Sequence, residues 1–507
     1  MGGQVAGVHT IDDEFTALPL QALADAALQT AQDGGASYAA FRMERILGTS
    51  IRLRDAEVEG ANDAEDIGYS VRVIVDGTWG FASDVERTPE AAARTARRAI
   101  DLAKVSAPVN TEPVDLTPEP AHRGTWISSY EVDPWSVPNE AKIALLQSWS
   151  RQLLDSDGVD HVDSSLLAVK ENKYYADLNG TVTTQQRVRL HPEFEAVTID
   201  AKTGAFETMG TIAPPVGRGW EFLTGSSYDW QAELAALPGW LAEKLRAPSI
   251  EPGRYDLVID PSNLWLTIHE SIGHATELDR ALGYEANYAG MSFATPDKLG
   301  TLQYGSSLMH ITGDRTVEHG LSSVAWDDEG VEAQSFDIVR EGVLVGYQLD
   351  RRIASRVGYD RSNGCAFADS PGHVPIQRMA NVSLQPVAGG PSTDDQISAV
   401  EDGIFIVGDK SWSIDMQRYN FQFTGQRFFR IQSGRIVGQV KDVAYQATTT
   451  DFWGSMASVG GPQTYVLGGA FHGGKAQPGQ VAPVSHGAPS ATFSQVKILN
   501  TAAEGGR

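Results

Sequence analysis

Two histidines five residues apart, His269 and His274, lie in a segment whose ends call for a helix, and this pairing limits the local fold more than anything else in the chain. Asp260-Pro261-Ser262-Asn263 supplies a capping carboxylate followed by proline in the first turn, and Gly283 supplies a stop. Between them, LWLTIHESIGHATELDRALG reads as a helix of about twenty residues. On a regular α-helix a five-residue step turns the side chains by about 140°. That is too far apart for two imidazoles to meet one tetrahedral ion. A π-bulge, closed by i to i+5 hydrogen bonds, returns them to one face, and Gly273 lowers the cost of the distortion. The spacing therefore predicts a helix widened between His269 and His274.

The residue types in HESIGH point to zinc-assisted hydrolysis. Two imidazoles can hold the ion, which acidifies water towards a pKa of about 7. Glu270, beside the first histidine, is placed to take a proton as general base. The common H-E-x-x-H signature has its histidines at i and i+4, so this chain departs from it by one residue. A tetrahedral site needs a third protein ligand. Cys365, His373, His472 and His486 are the candidates, and composition does not choose among them. Glu277, three residues after His274, reads as a support behind a ligand rather than a ligand.

Sixty-five acidic residues against 40 basic ones give a net charge of −25, which argues against direct nucleic-acid binding. A single cysteine excludes an intrachain disulfide and fits a reducing compartment. The N-terminus lacks the features of an export signal, and no apolar run of about 18 residues exists to span a membrane. The expected location is the cytoplasm.

The patterning predicts an α+β, multi-domain chain with a mixed N-terminal part and a large β-rich C-terminal domain that carries the metal-site helix. Leu20 to Ala31 reads as a helix, and Ala36 to Arg54 alternates like paired strands. A hairpin turn at Asp76-Gly77 and a helix entered at Thr88-Pro89-Glu90 complete a domain over 1–115, ending in the Pro-rich stretch Pro108 to Pro120. A middle α+β domain over 116–247 has a helix near Asn139 to Leu154, a hairpin turn at Asn179-Gly180, and a last helix that Pro238 should kink or interrupt. The C-terminal domain over 248–507 opens with the strand YDLVID.

Other segments carry weaker readings. Asp409 to Phe423 alternates as one core strand, whose edge could hold an extended peptide. Arg378 and Asn381 are candidates to orient a carbonyl or oxyanion. Trp220, Trp230 and Trp240 read as packing residues. No phosphate loop, nucleophile elbow or dinucleotide fingerprint stands in a convincing context.

Several blocks in order, HESIGH, NGCAFADSPGHVPIQRMANVSLQPVAG, GIFIVGDKSWSIDMQRYNFQF and GGAFHGGKAQPGQ, resemble the TldD/PmbA family, specifically its TldD-type members with H-E-x-x-x-H. GYSVRVIVDGTWGFASDVERTPE is similar to the family's N-terminal signature, so the resemblance spans roughly residues 35 to 500. It implies a zinc metallopeptidase acting on unfolded or extended peptides, with His269 and His274 as ligands and Glu270 as the catalytic glutamate. The family's third ligand, a cysteine near the C-terminus, falls on His472 in FHGGKAQPGQ. The resemblance also implies a homodimer, or a heterodimer with a PmbA-type protein. Two rival readings remain: a non-catalytic modulator or partner of a peptidase complex, and a metal-dependent amidase acting on small molecules.

Overall fold

The computed structural model describes residues 9–475 and 478–504. Its first half is built on one seven-stranded sheet: β1 (Tyr38–Arg54), β2 (Glu57–Val75), β3 (Thr78–Asp84), β4 (Arg123–Ile127), β5 (His161–Asp177), β6 (Val182–Ile199) and β7 (Phe206–Gly210). The order is β3-β2-β1-β5-β6-β4, with β7 also paired to β6. The stretch expected as paired strands after Ala36 is a single long strand, β1. Asp76 (φ 50°) and Gly77 (φ 70°) turn the chain from β2 to β3 with the left-handed backbone that a tight hairpin requires. Thr88 caps the next helix, Pro89–Ser106, by accepting the Ala91 N–H.

The segments 1–115 and 116–247 share this sheet, because β1 pairs with β5 from Ala40 opposite Asp177 to Arg54 opposite Asp163. Burial is nonetheless split in two. At one end Phe15, Leu23, Phe41 and Tyr69 pack beneath the helices Leu20–Asp33 and Pro89–Ser106. At the other, Ile51, Trp149, Phe194, Trp220 and Trp230 pack with the helices Asn139–Leu154 and Trp230–Arg246. The latter helix runs unbroken past Pro238, against the expected interruption. Apart from a 3-10 turn at Ala107–Val109, the Pro-rich stretch forms neither helix nor strand. It is tied down, however, with Val114 N–H donating to Gly77 O and Thr117 N–H to Arg351 O.

The C-terminal part is β-rich. The strand β8 (Gly253–Ile259) lies in a second seven-stranded sheet, between Asp402–Ile414 and Ala491–Asn500. Beyond Ala491–Asn500 come Val443–Thr448, Asn420–Gln432 and Arg435–Val440, and pairing of Asp402–Ile414 with Asn420–Gln432 closes five of these strands on themselves. The single strand expected over 409–423 is therefore a hairpin, whose turn holds Arg418 at φ 62°. Leu264, Ile268 and Ile272 share a core with Leu257, Ile404, Phe423, Tyr445 and Phe493, which fixes the HESIGH segment against this sheet. Among the described residues no helix is long and apolar enough to cross a membrane.

Candidate metal centre

Asp260 accepts the Ser262 N–H and starts the α-helix Pro261–Ile268. At His269–Gly273 the helix widens into a π-turn, then tightens to a 3-10 turn at His274–Thr276. This is the distortion that the i, i+5 spacing predicts. The helix stops at Glu277 (ψ 112°), sooner than the Gly283 signal suggests, and a separate turn Leu278–Ala281 follows. Side chains satisfy the displaced backbone groups, which otherwise would be buried without partners. Tyr304 Oη donates to Ser271 O (2.5 Å), Thr276 Oγ1 to Ile272 O (2.8 Å), and Gln348 Nε2 to Gly273 O (2.7 Å). Trp453 Nε1 holds Ser271 Oγ at 2.9 Å. Gly273 has ordinary helical angles (φ −52°, ψ −61°), so it is needed for space and not for backbone freedom. A Cβ there would lie 2.8 Å from Met379 Sδ.

The π-turn brings together the donor atoms of His269, Glu270 and His274, all buried, within 4.8 Å of one another. Hydrogen bonds fix both imidazole tautomers. His486 Nδ1 lies 2.8 Å from Val382 O, and a carbonyl only accepts, so the His486 proton is on Nδ1 and its Nε2 is an acceptor. His269 Nδ1–H donates to that Nε2 at 2.8 Å. His274 Nδ1–H donates to Glu277 Oε2 at 2.9 Å. Each histidine of the pair thus keeps an Nε2 lone pair free for an ion. Burial, with the neighbouring imidazole adding to it at His269, holds both rings well below the usual histidine range, in the neutral form a metal requires.

Two carboxyls in the site are shifted in opposite directions. Burial raises the Glu270 carboxyl above its usual range, against the pull of Arg418, whose Nη1 donates to Oε2 at 2.6 Å. Burial also opposes ionisation of Glu277, but Lys475, His274 and Arg280 outweigh it and hold that carboxyl well below its usual range. Lys475 Nζ reaches Glu277 Oε1 at 3.2 Å and Asp279 Oδ1 at 2.8 Å. A cleft of about 720 Å³ opens beside the centre, lined by His191, Trp265, Asp409, Trp412 and Phe471. The Trp265 ring is 6.3 Å from that of His269.

The other candidates fall as follows. The structure does not bring His472 into the group: its side chain is exposed on the strand Val466–Lys475, close to Arg189 and His191. Its neighbour Gly473 lies at the centre, where a Cβ would be 3.5 Å from His269 Cε1. Cys365 is fully buried and its thiol is pushed up to about 12 by burial. His373 bonds to Asp369. Arg378 donates to Gln480 O and Gly473 O, and Asn381 accepts from Ser322 and Ser485 N–H, so both brace loops around the centre. Sequence reasoning missed Arg418 and the use of His486 as a buttress, because their partners are 148 and 217 residues away.

Residues 252–500 match the family model described as the PmbA/TldA metallopeptidase C-terminal domain, and residues 39–103 match that of PmbA/TldA metallopeptidase domain 1. A metalloprotease of Methanothermobacter thermautotrophicus is 28% identical over 92% of this chain and 96% of its own length. A zinc metalloprotease TldD homolog of Saccharolobus solfataricus is 21% identical over 93% and 98%. The crystal structure of TldE from Thermococcus kodakarensis superposes with a TM-score of 0.70 at 16% identity, covering 94% of this chain and 99% of that one. The chain belongs to the PmbA/TldD metallopeptidase family and is a hydrolase of that class.

Proposed function

We propose that this metallopeptidase binds zinc through Nε2 of His269 and His274 and hydrolyses unfolded or extended peptides with Glu270 as general base. The observation that carries the reading is the tautomer lock. Both Nδ1 atoms are engaged, one by His486 and one by Glu277, which leaves two neutral Nε2 donors beside a buried carboxylate. Imidazole nitrogens are donors that zinc takes, and the carboxylate beside them is placed to act as a base. A bound zinc ion supplies Lewis-acid polarisation of the peptide carbonyl and acidification of water. Glu270, made more basic by burial, takes the proton of the attacking water and delivers it to the leaving amine. Arg418 Nη1 holds Oε2 of this carboxylate and so orients it beside the two imidazoles.

The open edge of Asp402–Ile414 supports an extended substrate. Gly403–Ile406 pair with β8, whereas Asp409–Ile414 pair on one side only and border the cleft. His472 is the third ligand we propose. It lies at a bulge between Ala470 and Gly473, and a one-residue shift in a strand turns a side chain to the other face. The likeness to TldE supports a PmbA/TldE-type partner chain.

Zinc analysis of purified variants tests this reading. Wild type and Cys365→Ala are expected to hold about one ion per chain. His269→Ala, His274→Ala and His472→Ala are expected to lose it. Full zinc in His472→Ala with loss in Cys365→Ala would sink the ligand assignment. A wild-type chain that leaves a library of unstructured peptides intact in the presence of zinc would sink the peptidase reading.

A further inference from the structure

A second cavity, of about 380 Å³, lies between β6 and the loop after Asp314, and three arginines line it: Arg187, Arg189 and Arg315. Arg187 and Arg189 share a single carboxylate, Glu171, which takes the Arg187 fork at 3.0 Å twice and both Arg189 Nη atoms at 3.3 Å. Arg315 has nothing. It is 2% exposed, its Nε is buried without a partner, and among the described residues no hydrogen bond or ion pair holds its guanidinium. The carboxylates nearest to it are spent: Asp327 accepts from the Glu329, Val331 and Ala366 amides, and Asp328 takes Lys173 at 2.6 and 2.8 Å. Glu318 and Glu332 also line the cavity but are exposed and pair with His319 and Arg361.

A fully buried unpaired guanidinium is among the costliest things a fold can contain, so its retention on a cavity wall points to an occupant that brings the missing negative charge. The planar fork matches a carboxylate. The cavity also adjoins the candidate metal centre. Arg187 Nη1 donates to Leu321 O, Leu321 N–H donates to Ser485 Oγ, and the next residue, His486, buttresses His269. On the same face of β6, by the two-residue period of a strand, Arg187 and Arg189 are followed by His191 and Glu193 in the substrate-sized cleft.

We infer that the Arg315 cavity is a subsite for a carboxylate of the substrate peptide, supplied by its C-terminus or by an Asp or Glu side chain. This rests on the peptidase reading for the identity of the ligand. It gives the enzyme an anionic anchor on an otherwise sequence-tolerant substrate.

The test uses three dansyl-labelled peptides of eight residues that differ only in charge: a free acid without Asp or Glu, its C-terminal amide, and the amide with one internal Glu. Binding is measured on the full-length Glu270→Gln chain, which keeps them intact. The free acid, the Glu-containing amide, or both are expected to bind about tenfold or more tightly than the plain amide, and which one does so identifies the source of the carboxylate. The preference should vanish in Glu270→Gln/Arg315→Met and return in part in Glu270→Gln/Arg315→Lys, which keeps the charge without the fork. If the Met variant does not fold, the Lys variant decides alone, and an undiminished preference there overturns the proposal. Equal binding of all three peptides, or a preference unchanged by Arg315→Met, also overturns it. With Glu270 intact, cleavage indifferent to the carboxylate sinks the subsite alone. A carboxylate preference without any cleavage leaves the subsite standing and sinks the peptidase reading.

Discussion

Glu277→Gln separates what holds the protein together from what holds the metal. Glu277 is fully buried and accepts from three cations or potential cations: His274 Nδ1 at 2.9 Å, Lys475 Nζ at 3.2 Å and Arg280 Nε at 3.3 Å. Breaking a buried ion pair from one side costs about 3–5 kcal/mol, because it strands the partner charge. Here Lys475 keeps Asp279 at 2.8 Å and Gln377 O at 2.7 Å, so the loss belongs at the lower end, about 3 kcal/mol. A glutamine oxygen accepts the His274 proton but no longer strengthens the ring as a ligand. Zinc affinity should fall by about 10- to 100-fold. Adding Lys475→Met takes the cation from buried Asp279 as well and should lower the thermal stability further while leaving zinc affinity at the level of the single variant. Differential scanning fluorimetry and competition with a zinc chelator read the two quantities independently. Zinc affinity within twofold of wild type in Glu277→Gln would refute the strengthening of His274 by the carboxylate, and a further fall of zinc affinity along with the Tm in the double variant would refute the separation.

Gly273→Ala forces a Cβ to within 2.8 Å of Met379 Sδ and should cost about 1–3 kcal/mol, read as a lower Tm. Pairing it with Met379→Ala should recover most of the loss, and no recovery would locate the strain elsewhere. Asp409 accepts from Trp265 Nε1 on the cleft wall, and burial pushes its carboxyl up to about 6. A raised folded-state pKa means that its destabilising effect is absent below about pH 4 and grows as pH rises through 6. Asp409→Asn should therefore match wild type in Tm at pH 4 and exceed it above pH 6, by up to about 2 kcal/mol given the partial exposure. An advantage that shrinks with rising pH would contradict the sign.

The parts of the molecule legible in its sequence are those set by short-range chemistry. The caps at Thr88 and Asp260, the Asp76-Gly77 turn and the widened HESIGH helix each depend on residues a few positions apart. The hairpin at 415–419 was hidden by alternation that continues through it, since Asp409–Ile414 and Asn420–Phe423 share the same period. Pro238 does not interrupt helix Trp230–Arg246, whose Trp230, Leu234, Leu237 and Leu241 are buried with Trp149 and Phe194. In the site, His269, Glu270 and His274 were adjacent in sequence and therefore visible. Arg418 and His486 reach them, and Lys475 reaches Glu277 behind His274, only through the closed sheet and the strand pair Val466–Lys475 and Gln480–Ala488, which no local pattern encodes.

The central claim is that Glu270 transfers protons beside an ion held by His269 and His274. It is tested most directly by zinc content and peptide hydrolysis measured together on Glu270→Gln. Glutamine keeps the size of the side chain and an oxygen for Arg418. The account predicts about one zinc per chain, as in wild type, with kcat lowered by about 10²- to 10⁴-fold. A variant that keeps its zinc and hydrolyses the same peptides at the wild-type rate would contradict it.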